Sequence, residues 1–272
     1  MAEYTTTMDT IAAAAIPGIT ALNYANGLAY LLNVVLGMRD NSAVSVKYQT
    51  LVTPARYAFA ATWLCIFLLQ TIWVVLQFIP EYRSSTFVTD IVGYNFVYAC
   101  FAQSLWSICF GYERITLTLV VMIAILGSLI PIVYRIYTQD YIHVGNFWVM
   151  EFPMELHAGW IMAATLVNLN IVFVSCGASS KIQIIIAWLS LAVVLCLGIF
   201  VIAVVTDGHP YVIPFVLAWA SFAMSIELDD PKESIATNFS PNVIFSTKAT
   251  ARVISFLILV VAAVRLGHKL LA

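Results

Sequence analysis

Apolar residues run along this chain in long unbroken blocks separated by short polar links. Each block is about twenty residues, the length that crosses a ~30 Å hydrocarbon layer as a helix rising 1.5 Å per residue. A membrane β-barrel would instead alternate apolar and polar positions over segments of ~10 residues. Eight blocks can be counted, at about 18–37, 55–78, 87–111, 115–137, 153–176, 182–206, 211–227 and 251–266. Lipid offers no partner to a free backbone N–H or C=O, so each block is predicted to be an α-helix. The fold class is therefore all-α: a polytopic membrane helix bundle with about eight transmembrane helices.

The links add detail. Pro54 falls at the first turn of the second block, where its missing N–H costs little. Gly111-Tyr112-Glu113-Arg114 is so short that blocks three and four must form an antiparallel hairpin, and Glu113 and Arg114 read as a turn ion pair or as two solvated charges. Pro131 is expected to kink the fourth block. A wetter link covers 138–151, Asp207-Gly208-His209-Pro210 is a turn signal, and the longest polar segment is 227–250. Tyr48, Tyr82, Tyr134, Tyr137 and Trp148 sit near block ends, as interfacial anchors do.

Composition fits this pattern: 62% of residues are hydrophobic and only 10% are charged, against ~25% charged in soluble domains. A net charge of −2 without clustered basic residues gives no reason to expect nucleic acid. The lipid bilayer is the expected surrounding. Cys65, Cys100, Cys109, Cys176 and Cys196 lie in or beside apolar blocks without zinc-ligand spacing, and read as small packing residues. Residues 1–17 form a tail whose first sixteen residues lack Lys and Arg, so insertion is expected to be directed by the first block. Loop Lys and Arg divide unevenly. Arg39, Lys47, Arg56, Arg114, Lys181, Lys232, Lys248 and Arg252 fall on one side, and Arg83, Arg135, Arg265 and Lys269 on the other. The first side is expected to be cytoplasmic, with both termini opposite; which membrane is left open.

Several chemistries find no support. There is no phosphate-binding Gly-rich loop, no His-Glu-x-x-His, no Gly-x-Ser-x-Gly, no mid-span lysine for a retinal Schiff base and no Arg ladder. No nucleophile–base pair emerges, and the expectation is a protein that is not an enzyme.

The fifth block is the informative one. At 100° per residue His157, Trp160, Ala164 and Asn168 share one stripe, and Gln103, Trp106 and Phe110 share another on the third block. Polar groups are costly in lipid, so both stripes should face the bundle interior. They serve either helix packing, with Gly159 and Ala164 allowing close approach, or the wall of a ligand pocket. Glu151, Glu155 and His157 read either as solvated residues at the membrane face or as a proton-linked or metal-linked site. For a metal tetrapyrrole the His157 imidazole is a candidate axial donor; otherwise it bonds water or a neighbouring helix.

At these residues the chain resembles the tryptophan-rich sensory protein / translocator protein (TspO/MBR) family, in its divergent longer branch. The resemblance lies in Lys47-Tyr48-Gln49-Thr50-Leu51-Val52-Thr53-Pro54-Ala55-Arg56-Tyr57-Ala58-Phe59, in the stretch 103–110, and in Gly159-Trp160 followed by Ala164-Thr165 and Asn168. It covers roughly 18–176, which it implies is a five-helix translocator-like bundle, with 177–272 as a three-helix extension. The Trp expected at Thr62 stands one place later, at Trp63, and the third-helix Asn is Gln103. The resemblance implies an apolar, Trp-lined cavity for porphyrins or other flat hydrophobic ligands. Trp106, Phe110, Trp160, Ala164 and Asn168 carry over by position, and His157 is added from its place on the stripe.

The leading expectation is a membrane binding or sensory protein with a tetrapyrrole or similar small lipophilic ligand. Two others stand beside it: an accessory or assembly subunit of a homo-oligomer or larger membrane complex, and a secondary transporter. The charge asymmetry is testable. A single cysteine introduced as Ser240→Cys, in a chain without its native cysteines, should react with impermeant maleimide only from the cytoplasmic side. Labelling from the opposite side alone would invert the topology.

Overall fold

The computed structural model of the protein describes residues 18–139, 146–205 and 210–271. The N-terminal tail at 1–17, the middle of the link at 138–151, and Asp207, Gly208 and His209 of the turn signal lie outside the described residues. The helices are α1 (Ala21–Gly37), α2 (Ser42–Lys47), α3 (Arg56–Leu76), α4 (Asn95–Gly111), α5 (Ile115–Thr138), α6 (Phe147–Met150), α7 (Phe152–Ser175), α8 (Ser180–Val204), α9 (Val212–Glu227), α10 (Glu233–Asn238) and α11 (Pro241–Leu271). A helix stands in each apolar block, and no strand occurs among the described residues. The protein is an all-α polytopic membrane bundle. α3, α5, α7, α8 and α11 are long and apolar enough to cross a membrane, whereas α1, α4 and α9 run to 17, 17 and 16 residues.

Two boundaries differ from expectation. The third block is not one helix: a π-helical turn, Phe87–Val92, precedes α4. Gly93 separates them with φ 51°, a left-handed conformation that interrupts the ladder and suits glycine. The last helix starts ten residues earlier than its apolar block, because Pro241 supplies a helix start and the polar turns of 241–250 remain helical. α5 continues as a helix through Pro131.

The outer surface is apolar, and a set of polar side chains is buried within a largely apolar interior. Leu28, Leu64 and Phe256 are 69%, 60% and 66% exposed, while Asn23, Asn26, Gln70 and His157 are fully buried. With lipid outside, apolar burial gives helices little reason to associate, so close packing and interhelical hydrogen bonds fix the arrangement. From α1, the Asn23 and Asn26 amides donate to Gln77 Oε1 at 3.4 and 2.9 Å, and the Tyr30 hydroxyl donates to the Phe67 carbonyl of α3 at 2.6 Å. Asn170 of α7 donates to Ser190 of α8 at 2.8 Å, and the Trp188 indole of α8 to Thr247 of α11 at 3.1 Å.

α7 is the hub: it packs against α3, α5, α8 and α9 and is the most buried of the five long helices. The C-terminal helices pack directly on the first five. The Ala55 N–H at the start of α3 donates to the Ala223 carbonyl of α9 at 3.0 Å, and the Trp219 indole donates to Thr62 at 3.0 Å. One buried cluster draws on all eight long helices.

Cys100 and Cys109 are buried as packing residues, but Cys65, Cys176 and Cys196 are exposed on the outer surface. A Cys side chain is apolar enough to face lipid as readily as protein. Glu113 does not pair with Arg114. It joins Lys47 and Tyr48 across the loop between α1 and α3.

Gly159 sets the distance between α7 and α9. A Cβ there would lie 3.0 Å from Val216 Cβ and 3.3 Å from the Ile213 backbone. Gly159→Val should therefore destabilise the protein by about 1–3 kcal/mol, the usual range for overpacking, read as a lowered Tm in detergent. An unchanged Tm would show that α9 yields freely.

Candidate functional site

A cavity of about 570 Å³ opens between α3, α4, α5, α7 and α9. Its wall follows from helical spacing. α4 contributes Gln103, Trp106 and Phe110, one turn apart on one face, and α7 contributes Trp160, Ala164 and Asn168 with their neighbours Ala163, Val167 and Ile171. All five positions carried over from the translocator pattern, Trp106, Phe110, Trp160, Ala164 and Asn168, line this one space. α3 adds Phe59, Trp63 and Phe67.

The aromatic rings of the lining form two groups in mutual contact. Trp106 stacks on Phe110 with centroids 4.9 Å apart and planes 13° from parallel. Trp63 stacks on Phe67 at 5.5 Å, and Phe59 meets Trp160 edge-on at 5.8 Å. Stacked and edge-on rings hold one another in place through their quadrupoles, which keeps flat faces available without a ligand. The volume lies within the ~300–1,000 Å³ typical of small-molecule sites.

Polar groups on this wall are few. The indole nitrogens of Trp106 and Trp160 are buried and have no hydrogen-bond partner among the described residues. Asn168 Oδ1 lies 3.1 Å from the Thr118 hydroxyl, which also donates to the Ile115 carbonyl at 2.6 Å. One proton serves both, so the Asn168 amide can turn to offer either end.

His157 departs from its expected role. It is not on the cavity wall, although one turn from Trp160; it lies fully buried behind the wall, between Gln70 and Gln103. Gln70 Nε2 is 2.9 Å from Nδ1 and Gln103 Oε1 is 2.8 Å from Nε2. Both ring nitrogens are engaged, so the imidazole offers no lone pair to a metal and the axial-donor expectation does not fit. The neighbouring-helix alternative describes it.

Glu151 and Glu155 are likewise buried rather than solvated at the membrane face. Tyr137 of α5 donates to Glu155, so this carboxyl lies in a helix interface. No group of three His, Cys, Asp or Glu suited to a metal occurs among the described residues.

Sequence reasoning missed two parts of the wall. The first is the α3 aromatic row. Trp63, one place from the position the pattern anticipates, faces the cavity, while Thr62 faces α9 and accepts from Trp219. The 59, 63, 67 spacing was the available signal. The second is Ala220, Met224 and Glu227 of α9, a helix without a polar or aromatic stripe of its own on that face.

The cavity mouth is formed largely by the loop between α1 and α3, which includes Arg39, Asp40, Ser45, Tyr48 and Gln49. This loop is pinned to the turn after α4 by Glu113. Glu113 occupies the left-handed position, φ 54°, of a helix-ending motif in which the Arg114 N–H donates to the Cys109 carbonyl at 2.9 Å. The equivalent place after α7 is Gly177, φ 70°. A glutamate there carries a cost of about 1–2 kcal/mol, and what it provides in exchange is the carboxylate that holds Lys47 and Tyr48.

The architecture and this aromatic-lined space define a polytopic membrane protein with a cavity between its helices. The sequence model of the TSPO-like protein family matches residues 13–264, and the chain belongs to that family. The match runs through the C-terminal helices as well as the first five. No curated protein and no solved structure matches the chain.

The loop tie is pH-sensitive. Hydrogen bonds from Lys47 and Tyr48 hold the Glu113 carboxyl below the usual carboxylate range, and the bond to Glu113 raises Lys47. The Glu113 contribution is present above the carboxylate's unfolded pKa and lost as pH falls through the depressed folded value. The Lys47 contribution is present below its unfolded pKa and lost as pH rises through the raised one. At neutral pH both are intact. Acidification to below the usual carboxylate range should speed exchange of a cavity-bound probe, measured by stopped-flow Trp fluorescence. Glu113→Gly should exchange quickly at every pH; a wild-type rate that ignores acidification would mean that the loop is not the gate.

Proposed function

We propose that this protein is a membrane receptor-type binding protein that takes a flat apolar ligand, of tetrapyrrole class or similar shape, into the cavity between α3, α4, α5, α7 and α9. The observation that carries the reading is the lining itself. Three indoles and three phenyl rings from three helices border one space, and π-faces held in place bind flat molecules with little ordering cost. Membership in the TSPO-like family supports a binding or sensory role in general terms. A tetrapyrrole held here would be gripped by ring faces and by the Gln103 amide of the wall, without an imidazole on its metal.

Titration of the purified protein with protoporphyrin IX should quench Trp fluorescence saturably, since Trp63, Trp106 and Trp160 border the cavity. Ala164→Phe places a ring into that space and should weaken binding on the order of tenfold or more, the effect of ~1–3 kcal/mol of overpacking. Unchanged affinity would remove residue 164 from the site, and absence of saturable quenching in the wild type would remove the reading.

A further inference from the structure

We infer that His157 is a positioning residue for Gln103, and that it turns the cavity's innermost amide into a hydrogen-bond donor, so that the site prefers flat ligands bearing a carbonyl-type acceptor. This inference rests on the binding reading above.

Three helices meet at the imidazole. Gln70 of α3 donates from Nε2 to Nδ1 at 2.9 Å, and Nε2–H donates to Gln103 Oε1 of α4 at 2.8 Å. An Nδ1 that accepts carries no proton, so the ring is neutral with its proton on Nε2. That proton fixes the sense of the Gln103 amide: its oxygen is committed to His157, and its NH2 makes no hydrogen bond among the described residues. Gln103 lines the cavity while His157 does not.

The reversed arrangement is disfavoured on counting. With the proton on Nδ1, both glutamines would turn: Gln70 would accept, and Gln103 would donate to Nε2 and show its oxygen to the cavity. As the ring stands, one acceptor atom of Gln70, Oε1, is buried without a partner. Reversal would leave the Gln70 amide nitrogen with its two protons in that place, which is the costlier orphan in a low-dielectric interior. The side of the imidazole away from the cavity therefore dictates which end of Gln103 a ligand meets.

The nearby indoles have the same polarity. Trp106 Nε1 and Trp160 Nε1 are donors by chemistry, but both are buried away from the cavity space. The Gln103 NH2 is therefore the donor that a ligand meets. A ligand with a ring carbonyl, or an equivalent oxygen without a proton, satisfies it. A ligand lacking that oxygen leaves it unpaired, and a hydroxyl offers its acceptor only after its own proton finds another partner.

Two isosteric probes test this: 9-fluorenone, which carries one ring carbonyl, and fluorene, which carries none. Their affinities for the full-length protein in lipid nanodiscs can be compared by calorimetry. Each ratio is taken within one variant, so a general loss of binding cancels. Wild type should favour fluorenone by about tenfold, the size of one well-made hydrogen bond. Gln103→Leu and His157→Phe should both bring the ratio to within about threefold of unity. Nitrogen-15 NMR of wild-type packing, in a chain whose other histidines are replaced, should show a neutral His157 protonated on Nε2.

A His157→Phe protein that retains the wild-type ratio overturns the inference, as does an Nδ1-protonated ring or a wild type without preference. Should His157→Phe fail to fold, the NMR tautomer and the Gln103→Leu ratio decide the matter. If neither probe binds while protoporphyrin IX does, the donor inference fails and the cavity reading stands. If none of the three binds, both fail.

Discussion

A hydrocarbon solvent gives a polar side chain no partner, and the bundle is arranged around that constraint. Amides and an imidazole that water would satisfy in a soluble protein must satisfy one another between helices. The Gln70–His157–Gln103 relay is the clearest case: three buried groups from three helices, joined by bonds of 2.9 and 2.8 Å. It fixes the rotation of α3, α4 and α7 about their axes. Once those rotations are set, the faces carrying Phe59, Trp63 and Phe67, Trp106 and Phe110, and Trp160 and Ala164 are turned toward one another. The cavity is thus a consequence of where the polar groups had to go.

The second organising feature is the density of packing beside that cavity. Gly159 brings α7 against α9 closely enough that a Cβ would sit 3.0 Å from Val216. Further along α7 the small Ala163 and Ala164 border the cavity instead. The same helix is therefore in tight contact at one level and borders open space at another. α9 closes the space with Ala220 and Met224, and its hold on α3 through the Ala55–Ala223 backbone bond and the Trp219–Thr62 bond makes the C-terminal helices part of the site.

The membrane-facing end has a separate logic. Charges there are exposed, so the Lys47–Glu113 pair contributes position more than stability. Its effect is to bring the loop between α1 and α3 over the mouth. The turn that presents Glu113 uses a backbone conformation that α7 assigns to Gly177, a local departure from the usual choice that is explained only by the partners of its carboxylate.

Read from the residues alone, the chain determined its class, its apolar blocks and the α4 and α7 stripes, because block length and a 3.6-residue period are properties of a single helix. The faces shared by Trp106 and Phe110 and by Trp160, Ala164 and Asn168 were legible for that reason, whereas their assignment to a cavity wall came from the translocator resemblance. The interruption at Gly93 and the early start of α11 were not, since Gly93 required its actual φ to be known and the first turns of α11 mix Val243, Ile244 and Phe245 with Asn242, Ser246, Thr247 and Lys248. Only the tertiary structure decided what His157, Glu155 and Trp63 do. A stripe states which residues share a face but not which neighbour that face meets. His157 and Trp160 share one, yet the imidazole falls between two glutamines and the indole borders a cavity, because α3 and α4 both close on α7 at His157 and leave space one turn further along.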